Sequence, residues 1–369
     1  MHLHHNTRAP AILPGLFCYW KPVVFNTLLI QRNLFVLREY RKLSAEEGGV
    51  LKPVFLGDET GTRWAGAKPA HGRMSRAADA IREHIKLLRP HQWVKNGFVL
   101  IPAFFGGKVA ALVLGFRPAV AFLAFCAAAS GVYILNDIFD VEKDRIHERK
   151  RTRPLAAGTV SVRNAVVMLT LLTVAAVAMA YAVGTTFLYI VAGYLALNVL
   201  YTLYFKRISL IDISFIAAGF ILRVLGGGIA TDVVISKWLI LMTFLLACCL
   251  AVGKRRDDLM LGVDKEALRP ANGGYTLSFI DICLVILGGV TIVCYIMYTV
   301  SDEVVRRLQS DNVYLTSVFV IIGMLRFLQI AVVEQKSGAP TMILLKDRMI
   351  RSMIILWLLS FMIILYVGR

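Results

Sequence analysis

The sequence predicts an all-α integral membrane protein with about nine transmembrane helices. Three observations lead there. Of the 369 residues, 57% are hydrophobic and the mean hydropathy is +0.66, whereas soluble domains are about 45–50% apolar. From Asn164 to Phe205 there is no charged residue. One bilayer crossing takes about 20 residues, so that run holds two crossings joined by a turn near Gly184-Thr185-Thr186. Finally, most Lys and Arg residues gather in alternate connections, as expected when those connections share the cytoplasmic side.

Taken in order, the crossings are expected near 97–115, 118–137, 164–183, 186–205, 209–230, 236–253, 279–300, 313–333 and 350–368. The first is interrupted by Lys108, and the fifth by Asp212 and Arg223. The connection after the second crossing carries Lys143, Arg145, Arg149, Lys150, Arg151, Arg153 and Arg163, and the one after the sixth carries Lys254, Arg255, Arg256, Lys265 and Arg269. This bias places the N-terminus and the basic loops in the cytoplasm, the C-terminus outside, and the chain in an inner or plasma membrane as a multi-pass protein.

Residues 1–73 differ from the rest. They are rich in Gly, Pro and charge and hold no persistent helical period, so they are expected to be a poorly ordered extension. Met74 opens a stretch that looks like a fresh start, so the membrane domain is expected to span 74–369. There Ile81, Ile85 and Leu88 recur at helical spacing between bases, as in a helix lying on a membrane surface.

The net charge of +17 would suggest nucleic acid in a soluble protein. Here the basic loops account for it, and no nucleic-acid partner is expected. The six Cys show no C-x-x-C pairing and read as small core residues. The sequence contains no Walker loop, zinc site, nucleophilic triad or Rossmann fingerprint.

The chemistry concentrates in "NDIFDVEKD". Asn136, Asp140 and Asp144 are four residues apart and fall on one stripe of a helix, with Asp137 beside them. Their oxygens suit a hard cation such as Mg²⁺, which takes one or two carboxylates and completes its shell with water and phosphate. Lys150, Arg151 and Arg153 follow and can hold phosphate charge that the metal leaves uncompensated. A solvated helix end of mixed charge is the plain alternative. Against it, Asn136 and Asp137 directly follow an uncharged, membrane-like run, where ionisable groups are costly.

This array, with "RPLAAG" at Arg153–Gly158, resembles the first aspartate-rich motif of the UbiA-type membrane prenyltransferase superfamily. The likeness covers roughly residues 80–369, and implies helices around a central cavity open to the cytoplasmic side. Four further stretches resemble the branch of decaprenyl-phosphate phosphoribosyltransferases: "LRPHQWVKN" at Leu88–Asn96, "GFILRVLGGG" at Gly219–Gly228, "GKRRDDL" at Gly253–Leu259, and the closing segment with Gly338, Pro340 and Asp347. Family members using aromatic acceptors carry a second D-x-x-x-D after the sixth helix. Here that loop offers Asp257, Asp258 and Asp264, and no two of them are four apart.

The resemblance implies Mg²⁺-dependent transfer of 5-phosphoribose from phosphoribosyl pyrophosphate to a polyprenyl phosphate. Asn136, Asp137, Asp140 and Asp144 would be the metal residues, with Asp140, Asp144, Lys254 and Asp258 catalytic. Lys95, Lys150, Arg151, Arg153, Lys206, Arg223 and Arg255 would bind substrate. A prenyl-diphosphate transferase acting on an aromatic acceptor is the alternative enzyme, and an anion transporter the alternative outside enzymes. The nine spans show no convincing paired halves of the kind transporters carry. Several residues keep two readings. Arg223 is a phosphate clamp or a structural partner of Asp212, Lys95 a phosphate ligand or a membrane anchor, and His147 a member of the acidic stripe or a solvent-facing side chain. The oligomeric state stays open, a homo-oligomer included.

Overall fold

A computed structural model describes residues 73–108, 115–146, 150–260, 274–335, 343 and 346–366. The extension expected over 1–73 therefore lies almost wholly outside the described residues, as do His147, Asp264, Gly338 and Pro340. All regular structure among the described residues is helical.

Eight helical stretches there are long and apolar enough to cross a membrane. In chain order, α1 is Arg73–Leu88, followed by a 3-10 segment at Pro90–Val99 and the short α2 at Ile101–Phe105. The crossings begin with α3 at Phe116–Phe139, after which α4 covers Val141–Ile146. Next come α5 at Val162–Val183, α6 at Thr185–Leu203, α7 at Ile211–Thr231, α8 at Lys237–Met260 and α9 at Leu277–Thr299. The short α10 is Asp302–Leu308. A 3-10 segment at Asp311–Thr316 leads into α11 at Ser317–Val332, and α12 is Arg348–Tyr366.

The first expected crossing is different in kind. One helix is expected over 97–115, and in its part described up to residue 108 a 3-10 segment and a five-residue helix stand instead. Pro90 and Pro102 lack the N–H a continuous helix needs, and Gly107 adopts φ +70°. Lys108 Nζ then donates to the carbonyls of Thr231 and Asp232 at 3.2 and 2.8 Å, at the end of α7. This broken segment packs against α7, where Gly227 lets the backbones touch. A Cβ there would lie 1.9 Å from the Val99 carbonyl oxygen.

By contrast, α7 runs unbroken through both of its charged residues. Helices α3 and α5 pair through Ala121, Ala124, Ala128, Ala176 and Ala180, with Phe125, Phe187 and Tyr194 filling the space beside them. Small residues suit helix contacts in lipid, where packing and not water exclusion drives association. Leu171, Val174, Ile282, Val285 and Ile363 point outward, as lipid-facing positions should. A last cluster joins Leu87 of α1 and Ile134 of α3 to Leu155, Val160 and Ala165, which bolts down the loop carrying Arg153.

Candidate active site

The acidic array straddles the junction of α3 and α4. Asp140 closes α3 with φ −100° and ψ 6°, yet the helical pattern of hydrogen bonds continues across it. The Asp140 N–H donates to the Asn136 carbonyl at 2.9 Å, and the Asp144 N–H donates to the Asp140 carbonyl at 2.8 Å. The stripe read from the spacing is thus kept in space.

Each member meets a different element. Thr202 of α6 donates to Asn136 Oδ1 at 2.5 Å, and Lys206, four residues on, donates to Asp140 Oδ1 at 2.8 Å. Arg153 Nη1 donates to Asp144 Oδ2 at 2.6 Å and to Asp137 Oδ1 at 3.1 Å. Lys150 Nζ stands 4.0 Å from Asp144. Asp137 takes a second guanidinium: Arg89 Nη2 donates to its Oδ1 at 2.5 Å while lying over the Tyr133 ring. Arg89 itself holds a left-handed backbone at φ 52°, an uncommon state for a non-glycine residue and one found at constrained sites. Among the described residues, four bases therefore face three carboxylates, a positive excess within this group.

Asp137 and Asp144 are both 2% exposed. Asp140 is the more open member, with a third of its side chain accessible. Among the described residues no group of three or more acids, His or Cys is gathered closely enough to enclose a metal. The donors on the stripe are nonetheless all hard oxygens, and a Mg²⁺ that keeps water and phosphate in its shell needs no such cage. Asn136, Asp140 and Asp144 fit that ion. Asp137 lies between two guanidiniums, those of Arg89 and Arg153.

Behind the array lies a second polar group. Arg223, buried in α7, donates to Asn96 Oδ1, Tyr194 Oη and the Gly219 carbonyl at 2.8, 2.8 and 2.9 Å. Its guanidinium also stacks on the Tyr194 ring. These partners are all neutral. Lys95 is close by on the 3-10 segment, where burial, then the Arg223 and Arg89 charges, push its ammonium down from 10.5 to about 8.

The last turns of α8 carry Lys254, Arg255 and Asp258. Arg255 is 1% exposed and donates through Nε and Nη2 to Asp212 Oδ2 at 2.8 and 2.6 Å. Tyr275 completes that group, donating to Asp212 Oδ1 at 3.0 Å and accepting from the Leu210 N–H at 2.6 Å. Asp258 lies 3.3 Å from Arg255 Nη1, and Lys254 is exposed on the turn before. Arg255 thus joins α8 to α7. Asp212 belongs to Arg255 and not to Arg223. Arg151 is exposed on the same loop as Arg153.

Residues 99–269 match the UbiA prenyltransferase family. The decaprenyl-phosphate phosphoribosyltransferase of Mycolicibacterium smegmatis is 30% identical over 290 residues, covering 74% of this chain and 89% of that protein. The enzyme of that name from Mycobacterium tuberculosis is 30% identical over 288 residues, covering 76% and 93%. In fold, the chain resembles a UbiA homologue from Archaeoglobus fulgidus solved with GPP and Mg²⁺, with TM-score 0.59, 18% identity, and coverage of 77% and 99%. With eight apolar crossings and relatives matched over most of their length, the chain belongs to the UbiA prenyltransferase family and is a membrane-embedded transferase.

Proposed function

We propose that the protein transfers 5-phosphoribose from phosphoribosyl pyrophosphate to a long-chain polyprenyl phosphate, releasing pyrophosphate. The observation that carries this reading is the acid stripe of Asn136, Asp140 and Asp144 ringed by Lys150, Arg153 and Lys206. The names of the similar phosphoribosyltransferases support it.

Asn136, Asp140 and Asp144 would hold Mg²⁺, which when bound supplies positive charge against the departing pyrophosphate. Arg153, Lys150 and Lys206 take the remaining phosphate charge as it builds in the transition state. Arg89 and Asp137 keep the Arg153 guanidinium at the mouth. Lys95 and Arg223 form a second cationic group, without a carboxylate partner among the described contacts, suited to the other phosphate. The acceptor is already an anion and needs no base, only placement in line with the anomeric carbon. In this reading the mouth faces the cytoplasm, the water-soluble donor enters there, and the lipid lies along the apolar helices. Residues 74–369 form the catalytic domain.

Thermal protection of the purified protein tests the donor. Phosphoribosyl pyrophosphate should raise the melting temperature only when Mg²⁺ is present, and prenyl diphosphate should not. Protection by prenyl diphosphate with Mg²⁺, and none by the sugar donor, would replace this reading with prenyl transfer to another acceptor.

A further inference from the structure

An ionised carboxylate at the edge of a low-dielectric region needs a counter-charge, since desolvation of an unpaired one costs several kcal/mol. Asp144 and Asp137 are both buried, and one guanidinium nitrogen of Arg153 serves them together, at 2.6 and 3.1 Å. Lys206 does the same for Asp140 at 2.8 Å. The two acids of the metal stripe are therefore already neutralised by the bases proposed to grip the diphosphate.

Arg153 is well suited to change partners without leaving. Its backbone N–H donates to the Lys150 carbonyl at 2.9 Å and its carbonyl accepts from Ala157 at 2.8 Å. The adjoining Leu155 and Val160 pack into the cluster with Leu87, Ile134, Val141 and Ala165. Asp137, itself held by Arg89 at 2.5 Å, is a tether that stays when Asp144 is taken by another cation.

The geometry points to a coupled exchange of cations: Arg153 and Lys206 stand in the metal site until a metal-bound diphosphate arrives. Asp144 and Asp140 would then hold the metal, and the two bases would turn to the phosphate oxygens. Charge decides the coupling. With four bases against three acids among the described ion pairs, a divalent cation alone would enter a group of side chains that is already positive. A metal with diphosphate brings net negative charge and is welcomed. In this device Arg89 and Asp137 are positioning residues. The inference rests on the reading that the array takes a metal-bound diphosphate, whichever donor carries it.

The test uses the full chain in detergent, Mn²⁺ as an electron-paramagnetic probe for the metal, and inorganic pyrophosphate as the second ligand. Wild-type protein should bind Mn²⁺ weakly alone, and pyrophosphate should tighten binding about tenfold or more, the scale of losing or gaining a charge-assisted contact. Arg153→Gln should bind Mn²⁺ without pyrophosphate about tenfold tighter than wild type and lose most of the pyrophosphate gain. Lys206→Gln should move the same way, which covers the case in which one variant does not fold. Arg163→Gln removes the same charge from an exposed position at the start of α5 and should shift Mn²⁺ binding by less than about threefold, as screened surface charges do.

Unchanged Mn²⁺ affinity in Arg153→Gln and Lys206→Gln would overturn the exchange, as would an equal gain in Arg163→Gln. If wild type still showed the pyrophosphate effect in those cases, the diphosphate reading would stand while the exchange fell. Failure of wild type to bind Mn²⁺ even with pyrophosphate would sink both.

Discussion

Arg255 and Asp212 form a two-pronged ion pair between α8 and α7, with both side chains almost fully sealed from solvent at 1% and 0% exposure. Removing one partner leaves a bare buried charge, which costs about 3–5 kcal/mol, more than most single substitutions. Arg255→Met and Asp212→Leu should therefore each lower the melting temperature in detergent sharply. The double variant should recover much of the loss, because neither charge is then stranded. Equal, additive losses in the double variant would show that the pair is not what joins these helices.

The Lys206–Asp140 contact leads to a prediction about turnover. Asp140→Asn keeps size and hydrogen-bonding shape but removes the ligand charge, so the helix junction should survive while turnover falls by about 10²–10³-fold, on the order of losing one strong electrostatic contact to the transition state. Melting temperature and steady-state rate, measured on the same preparation, separate the two effects. A rate within a fewfold of wild type would exclude Asp140 from the metal site.

Lys95 provides a pH signature. Its folded value of about 8 means that it is charged below that pH and neutral above it, about two units earlier than an ordinary lysine. If the ammonium meets a substrate phosphate, kcat/KM should fall as pH passes about 8, since that parameter reports the free enzyme. Lys95→Gln should show a low value without that step. A flat wild-type profile from about pH 7 to about pH 9.5 would remove Lys95 from the substrate site.

Gly227 is where the broken first segment touches α7. With the Val99 carbonyl 1.9 Å from where a Cβ would stand, and the Val99 carbonyl carbon at 2.7 Å, backbone must move to admit a methyl. Gly227→Ala should cost about 1–3 kcal/mol of stability, the usual range for overpacking. The same change at Gly193, where a Cβ meets nothing within 4 Å, is the control for thermal melting. Equal melting of the two variants would mean the contact is not close.

Much of this was readable in advance, because membrane crossings and a helical stripe depend on periods that a sequence carries openly. The crossings of α3, α5, α6 and α9 begin and end within about three residues of their hydropathic limits. Asn136, Asp140 and Asp144 keep their register through the α3–α4 junction. Pairing was not readable. The sequence offers Arg223 as a partner for Asp212, and only the packing of α7 on α8 brings Arg255 to it instead, 43 positions away. Arg223 instead found the neutral Asn96, 127 positions away, for which charge gives no signal. In the sequence Arg89 reads equally as a phosphate ligand or a membrane anchor before the first crossing. Its grip on Asp137 depends on a left-handed backbone that no propensity announces. The break in the first crossing was written in Pro90, Pro102 and the Gly106-Gly107 pair, signals that a hydropathy window averages away.

The most direct test of the central claim is the mass of the lipid made when purified protein meets phosphoribosyl pyrophosphate, polyprenyl phosphate and Mg²⁺. The account predicts a lipid heavier by one phosphoribosyl group, with an equal amount of pyrophosphate released and neither formed when Mg²⁺ is chelated. An unchanged polyprenyl phosphate, from protein that converts prenyl diphosphate and another acceptor under the same conditions, would contradict it.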